Sequence, residues 1–191
     1  MELNKIEQKL DKKEYDFFCR FQQQLELPLY FIGSINRSDF MKGKSDLDIE
    51  VFSENVTSTK YQIEYLFNYY KKKDPKYIVF KIHDTPISGY KYYLKNTGIF
   101  FDFTIYKKES QEIVLHQRKI ENDIPLVLTI FLIVIKYLYY YLYIINSAQY
   151  SFIKKKFWSL YNIEKTVSTS YDTEEYMHYL QSETGDKSYL V

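Results

Sequence analysis

Asp46 and Asp48 stand two positions apart in the run Asp46-Leu47-Asp48-Ile49-Glu50, whose alternation predicts a strand. Alternate strand residues share a face about 6.6 Å apart. The two carboxylates therefore converge on one site while Leu47 and Ile49 enter the core. Adjacent acids repel unless neutralised, and hard divalent cations are the usual remedy. Mg²⁺ takes oxygen ligands, keeps several waters and is commonly shared between one or two carboxylates and substrate phosphates. A third acid, Asp102, is the only charge in the apolar run from Ile99 to Ile105. On a strand beside the first pair it would complete a trio able to hold two metal ions about 3.5 to 4 Å apart, an arrangement suited to in-line displacement at phosphorus. In that chemistry the ion near Asp102 lowers the pKa of an attacking hydroxyl, and the other steadies a departing pyrophosphate. Glu50 shares the face of Asp46 and Asp48 but lies a step further along, and is expected in solvent or paired with a lysine.

Upstream, Phe31-Ile32-Gly33-Ser34 ends a short apolar run in a small-residue turn, with eleven residues between Ser34 and Asp46. Small residues let a backbone come close to phosphate groups. Arg37 and Lys44 in the intervening loop are candidate triphosphate cations, weighed against the ordinary fate of loop cations in solvent. Gly43-Lys44-Ser45 is not a Walker A loop, because Ser38 occupies the place of that motif's first glycine.

These residues resemble the signature of the nucleotidyltransferases of the DNA polymerase beta superfamily: an apolar residue, Gly, then Gly or Ser, a variable loop, and Asp-apolar-Asp or Glu-apolar. Ile32-Gly33-Ser34 and Asp46-Leu47-Asp48-Ile49 match each position, and the resemblance spans roughly residues 29 to 106. Gly43 to Asp46 is similar to the Gly-x-Ser-Asp loop ending of small bacterial-type members, and Arg37 stands where such loops often carry a basic residue. The resemblance implies an α/β fold, a mixed sheet followed by a C-terminal helical bundle. It implies Asp46, Asp48 and Asp102 as catalytic residues and ligands of Mg²⁺, with Mn²⁺ as the alternative. Gly33, Ser34, Arg37, Lys44 and Ser45 would bind an NTP such as ATP. The implied reaction moves an NMP to a hydroxyl acceptor, whether a nucleic-acid 3′ end, a protein or a small molecule, and releases pyrophosphate. Beyond Tyr106 no motif identifies the acceptor. The competing reading is a nucleotidyltransferase-like antitoxin or adaptor that works as a protein-binding module; an intact acid trio, which a scaffold need not keep, speaks against it.

Three stretches position these residues: a catalytic domain over 1–109, a helical region over 110–165 and a polar tail over 166–191. Ile6, Leu10, Phe17 and Phe21 predict an amphipathic helix from Leu3 to Leu25. Strands are expected over Leu29–Gly33 and Leu47–Phe52, and a second helix over Ser58–Lys72 before Asp74 and Pro75. Further strands follow around Ile78–Ile82, Tyr90–Leu94 and Gly98–Tyr106, the last two joined by a turn at Lys95-Asn96-Thr97-Gly98. Helix returns from Ser110, and Pro125 suits a first helical turn capped by Asn122 or Asp123. In the tail only Tyr176–Leu180 has helical character.

Composition narrows the function classes. Lys plus Arg number 26 against 25 Asp plus Glu, so no global basic field demands nucleic acid, although Lys154-Lys155-Lys156 beside Phe157 and Trp158, and Lys71 to Lys73, leave it as a local partner. The single cysteine, Cys19, excludes an internal disulfide and fits a cytoplasmic protein. Met1 to Leu10 carries charges and no apolar h-region, so neither a signal nor a transit peptide is expected. His83, His116 and His178 lack metal-ligand spacing. Ile124 to Ile145 has the length of a membrane span, but Lys136 at its middle would cost about 2.5 to 3.5 kcal/mol there. A buried core helix is expected instead, with Lys136 reaching the surface along its aliphatic stem and the C-terminal helices offering a homo-oligomer contact.

Overall fold

Alternating apolar and polar residues build a five-stranded mixed sheet in the computed structural model, which describes residues 2–67, 75–96 and 99–161. The strands are β1 (Tyr30–Ile32), β2 (Leu47–Ser53), β3 (Lys76–Ile82), β4 (Thr85–Asn96) and β5 (Ile99–Lys107). Their order is β1-β2-β5-β4-β3. Only the β2–β5 pair is parallel; the other neighbours run antiparallel. β5 thus slots between β2 and β4, and Asp48 pairs in register with Asp102.

Strand periodicity then divides the side chains. Leu47, Ile49 and Val51 join Phe101, Phe103 and Ile105 on one face, where helices α1 (Lys12–Leu25) and α2 (Val56–Phe67) cover them. Phe18 and Phe21 of α1 and Phe67 of α2 meet Phe101 and Phe103 edge-on at centroid distances of 5.3 to 5.8 Å. Each such ring contributes about 1.5 to 3 kcal/mol on burial, so this face is the main core. The other face carries Asp48, Glu50 and Phe52 beside Asp102, Thr104 and Tyr106. Helix α3 (Gln111–Asn122) closes only its far end, setting Val114 among Phe52, Phe80 and Tyr106. The acidic end stays open toward α4 (Leu126–Tyr140) and α5 (Ser147–Tyr161), which pack on each other through Leu132, Ile135, Tyr150 and Phe157.

Several elements differ from expectation for local reasons. Leu3–Lys5 and Glu7–Lys9 are short 3₁₀ turns, and α1 begins only after Asp11, which forms a reciprocal capping box with Glu14 at 2.8 Å in each direction. β4 starts at Thr85, well before Tyr90, because His83 and Asp84, at φ 46° and 63°, make a two-residue hairpin turn without glycine. Pro125 precedes α4 as its cap residue, and neither Asn122 nor Asp123 caps it. The part of the expected second helix beyond Phe67, the Lys71–Lys73 cluster, Thr97-Gly98 and the stretch 162–191, including Tyr176–Leu180 and His178, lie outside the described residues.

The expectation of a wholly buried α4 is corrected. Only Thr129, Leu132, Ile135 and Lys136 are buried, while Val127, Ile130, Phe131, Val134, Tyr137 and Tyr141 form an exposed stripe at helical spacing. Among the described residues no single helix is long and apolar enough to cross a membrane: α4 has 15 residues and meets α3 at a bend of 82°.

Candidate functional site

β1 ends at Ile32, and the chain turns sharply through a 3₁₀ segment, Gly33–Asn36. Gly33 has φ +70°, and a Cβ there would stand 2.6 Å from Asp48 Oδ2. The backbone conformation favours glycine, and any Cβ would force the Asp48 carboxylate to move. Asn36 Nδ2 donates to the Phe31 carbonyl at 2.8 Å and holds the corner shut.

Asp48 and Asp102 face the same side of adjacent parallel strands, which run about 4.8 Å apart. Burial, and next the charge of Asp102, push the Asp48 carboxyl up to about 6, against the pull of Lys91 and Lys154. Lys91 of β4 places its Nζ 2.8 Å from Asp102 Oδ2. Burial works against the ammonium, but Asp102 outweighs it and holds Lys91 above its ordinary value.

These groups border a cleft of about 540 Å³ between the acidic end of the sheet and the α4–α5 pair. Gly33, Ser34, Arg37, Ser45, Asp46, Asp48 and Asp102 all line it. Asp46 lies just before β2 begins and is exposed. Lys44 is exposed on the loop and does not line the cleft.

Arg37 is not a free cation. Its Nε and Nη2 reach the two carboxylate oxygens of Asp39 at 2.8 and 3.2 Å, and its guanidinium lies 5.4 Å from the Trp158 ring of α5. Lys136 completes the knot from α4, with Nζ 2.8 Å from Asp39 Oδ2, 2.8 Å from the Asp39 carbonyl and 3.4 Å from Ser45 Oγ. Burial alone would raise the Asp39 carboxyl, but Arg37 and Lys136 outweigh it and hold it below the usual range. Lys136 is therefore buried as an internal tether and does not reach solvent along its stem: a lone lysine in an apolar helix finds a buried acid when one is within reach.

Glu50 is likewise corrected: it is 1% exposed and its partner is an arginine. Arg118 of α3 donates to Glu50 Oε1 from Nε at 3.0 Å and Nη2 at 2.9 Å, and to Glu121 Oε2 from Nη1 at 2.8 Å. Glu50 Oε2 is buried and accepts no hydrogen bond among the described residues. Burial raises the Glu50 carboxyl in spite of Arg118.

Sequence reading missed Lys91, Asp39, Arg118, Tyr140 and Tyr150; Lys154 and Trp158, from the basic–aromatic run expected as a local contact, join the two tyrosines in walling the cleft. Lys91 had a usable signal: on β4 it stands diagonal to Asp102, since Tyr93 pairs with Asp102 and Lys91 with Thr104. Asp39 and Arg118 each have one near partner, Arg37 and Glu121, but the contacts that tie them to the rest of the fold, Lys136 and Glu50, are remote in sequence.

The donor chemistry suits a hard divalent cation: the oxygens are carboxylate, and one carboxyl is pushed up by burial and then by its neighbour's charge. Among the described residues no three acidic, His or Cys side chains come together as a ready-made metal cage. The cation touching Asp102 is the Lys91 ammonium. Comparison of the chain with known protein families, curated proteins and solved structures finds no match.

Proposed function

We propose that the chain is a metal-dependent nucleotidyltransferase with a polymerase-beta-like catalytic sheet, moving an NMP from an NTP to a hydroxyl acceptor and releasing pyrophosphate. One observation carries this reading: Asp48 and Asp102 stand side by side on one sheet face, against the Gly33 corner, in a cleft that Asp46 also lines. Asp46, Asp48 and Asp102 would hold Mg²⁺ or Mn²⁺, which supplies positive charge to the triphosphate. Gly33 and Ser34 bring backbone and hydroxyl close to the phosphates. Arg37 and Ser45 act through the shape of their loop, since Asp39 and Lys136 already engage them. Lys44, outside the cleft, takes no part in this site.

Acceptors compatible with the cleft include a nucleic-acid 3′ end, a protein hydroxyl and a small molecule. The test incubates the protein with each labelled NTP, Mg²⁺ or Mn²⁺ and a panel of these acceptors. Transfer that disappears in Asp46→Asn and Asp48→Asn is the expected result; undiminished transfer in both variants refutes the reading.

The exposed α4 stripe favours a second reading, an antitoxin or adaptor acting mainly as a protein-binding module. Self-association through α4 and α5 is the simplest contact it supports, because the stripe is apolar and offers a charged partner nothing to pair with. Absence of NTP turnover with every acceptor, together with dimers that Val134→Glu dissociates, would select this reading.

A further inference from the structure

We propose that Lys91 is a built-in cation of the carboxylate cluster: its ammonium holds one oxygen of Asp102 from the β4 side, so that Asp46, Asp48 and Asp102 together take one divalent ion and not two. This rests on the nucleotidyltransferase reading and concerns how its metal site is composed.

The geometry is specific. Lys91 and Asp102 belong to paired antiparallel strands and meet on the diagonal of one face, with the Lys91 Nζ also 5.3 Å from the centroid of the neighbouring Tyr93 ring. Their side chains are only 28% and 26% exposed, so this 2.8 Å contact is shielded more than a loose surface pair. A neutral or acidic residue at 91 would leave Asp48 and Asp102 with no strand-borne positive charge between them. Lys91 lowers the formal charge of Asp46, Asp48 and Asp102 from −3 to −2, and so weakens the demand of the acids themselves for a second cation. A second cation would have to compete with an ammonium already in contact with its carboxylate. Lys154 enters from α5 as the other nearby cation but touches none of the three acids, its Nζ lying 6.0 Å from the Tyr150 ring.

Counting bound Mn²⁺ by electron paramagnetic resonance and calorimetry, with an NTP analogue that cannot be cleaved between the α and β phosphorus atoms, tests the proposal. The full-length wild-type chain should bind one ion, Lys91→Arg one, and Lys91→Met two, the second disappearing in Lys91→Met/Asp102→Asn. Two ions on the wild type, or one on Lys91→Met with a wild-type circular dichroism spectrum, overturn the role of the lysine and leave the nucleotidyltransferase reading intact. No ion on any of the proteins overturns both. Should Lys91→Met not fold, Lys91→Gln takes its place with the same expected count of two.

Discussion

Replacing Gly33 by alanine tests the corner on which the site is built, and Gly43 supplies its control. Both residues have nearly the same left-handed backbone, φ +70° and +69°, but a Cβ at Gly43 would meet nothing within 4 Å, whereas one at Gly33 would stand 2.6 Å from Asp48 Oδ2. Gly43→Ala should therefore cost the backbone term alone, about 1 to 2 kcal/mol. Gly33→Ala adds a collision that only movement of the Asp48 carboxylate or of the corner relieves, for a total of about 3 kcal/mol. For a chain of this size the difference corresponds to a melting temperature lower by roughly 2 to 8 °C in Gly33→Ala than in Gly43→Ala, measured by calorimetry. Displacing Asp48 by about 1 Å, enough to restore ordinary contact, should also reduce NMP transfer by about 100-fold, while Gly43→Ala stays within a few-fold of wild type. Equal melting temperatures and equal transfer rates for the two variants would refute the close approach and its role.

The remaining expectations concern buried charge. Asp48→Asn should abolish transfer yet stabilise the cation-free protein at pH 8 by about 1 to 3 kcal/mol: a carboxyl raised to about 6 favours folding when protonated, and that contribution is lost as pH rises from 4 through 6. Urea titrations at several pH values check this, and Mg²⁺ should raise the wild-type midpoint but not that of Asp48→Asn. Asp39 behaves oppositely. Its lowered carboxyl stabilises the fold above the ordinary carboxylate range and loses that effect as pH falls through its folded value, so Asp39→Asn should flatten the acid limb of the stability profile. Arg118→Met should cost about 3 to 5 kcal/mol by stranding Glu50, and Arg118→Met/Glu50→Leu should recover most of it in chemical denaturation.

What was legible in the sequence was whatever depends on near neighbours. The Gly33-Ser34 corner, the Asp46-Leu47-Asp48 alternation and the isolated charge of Asp102 each rest on short-range spacing, and the sheet brings all of them to one cleft. Turn chemistry without glycine hid the His83-Asp84 hairpin and hence the first half of β4. Long-range pairing was illegible: nothing near Lys136 announces Asp39, and nothing near Glu50 announces Arg118. Hydrophobicity summed over residues 124–145 suggested burial on all sides, but burial depends on which neighbours arrive, and α5 covers only part of α4.

The parallel pairing of β2 with β5 has an outcome for the newly made chain. Asp48 leaves the ribosome long before the strand that brings Asp102 beside it, and β3 and β4 must be laid down first, so no shorter nascent piece can assemble the acid pair. The two carboxylates meet only once β5 threads between β2 and β4, two strands made before it.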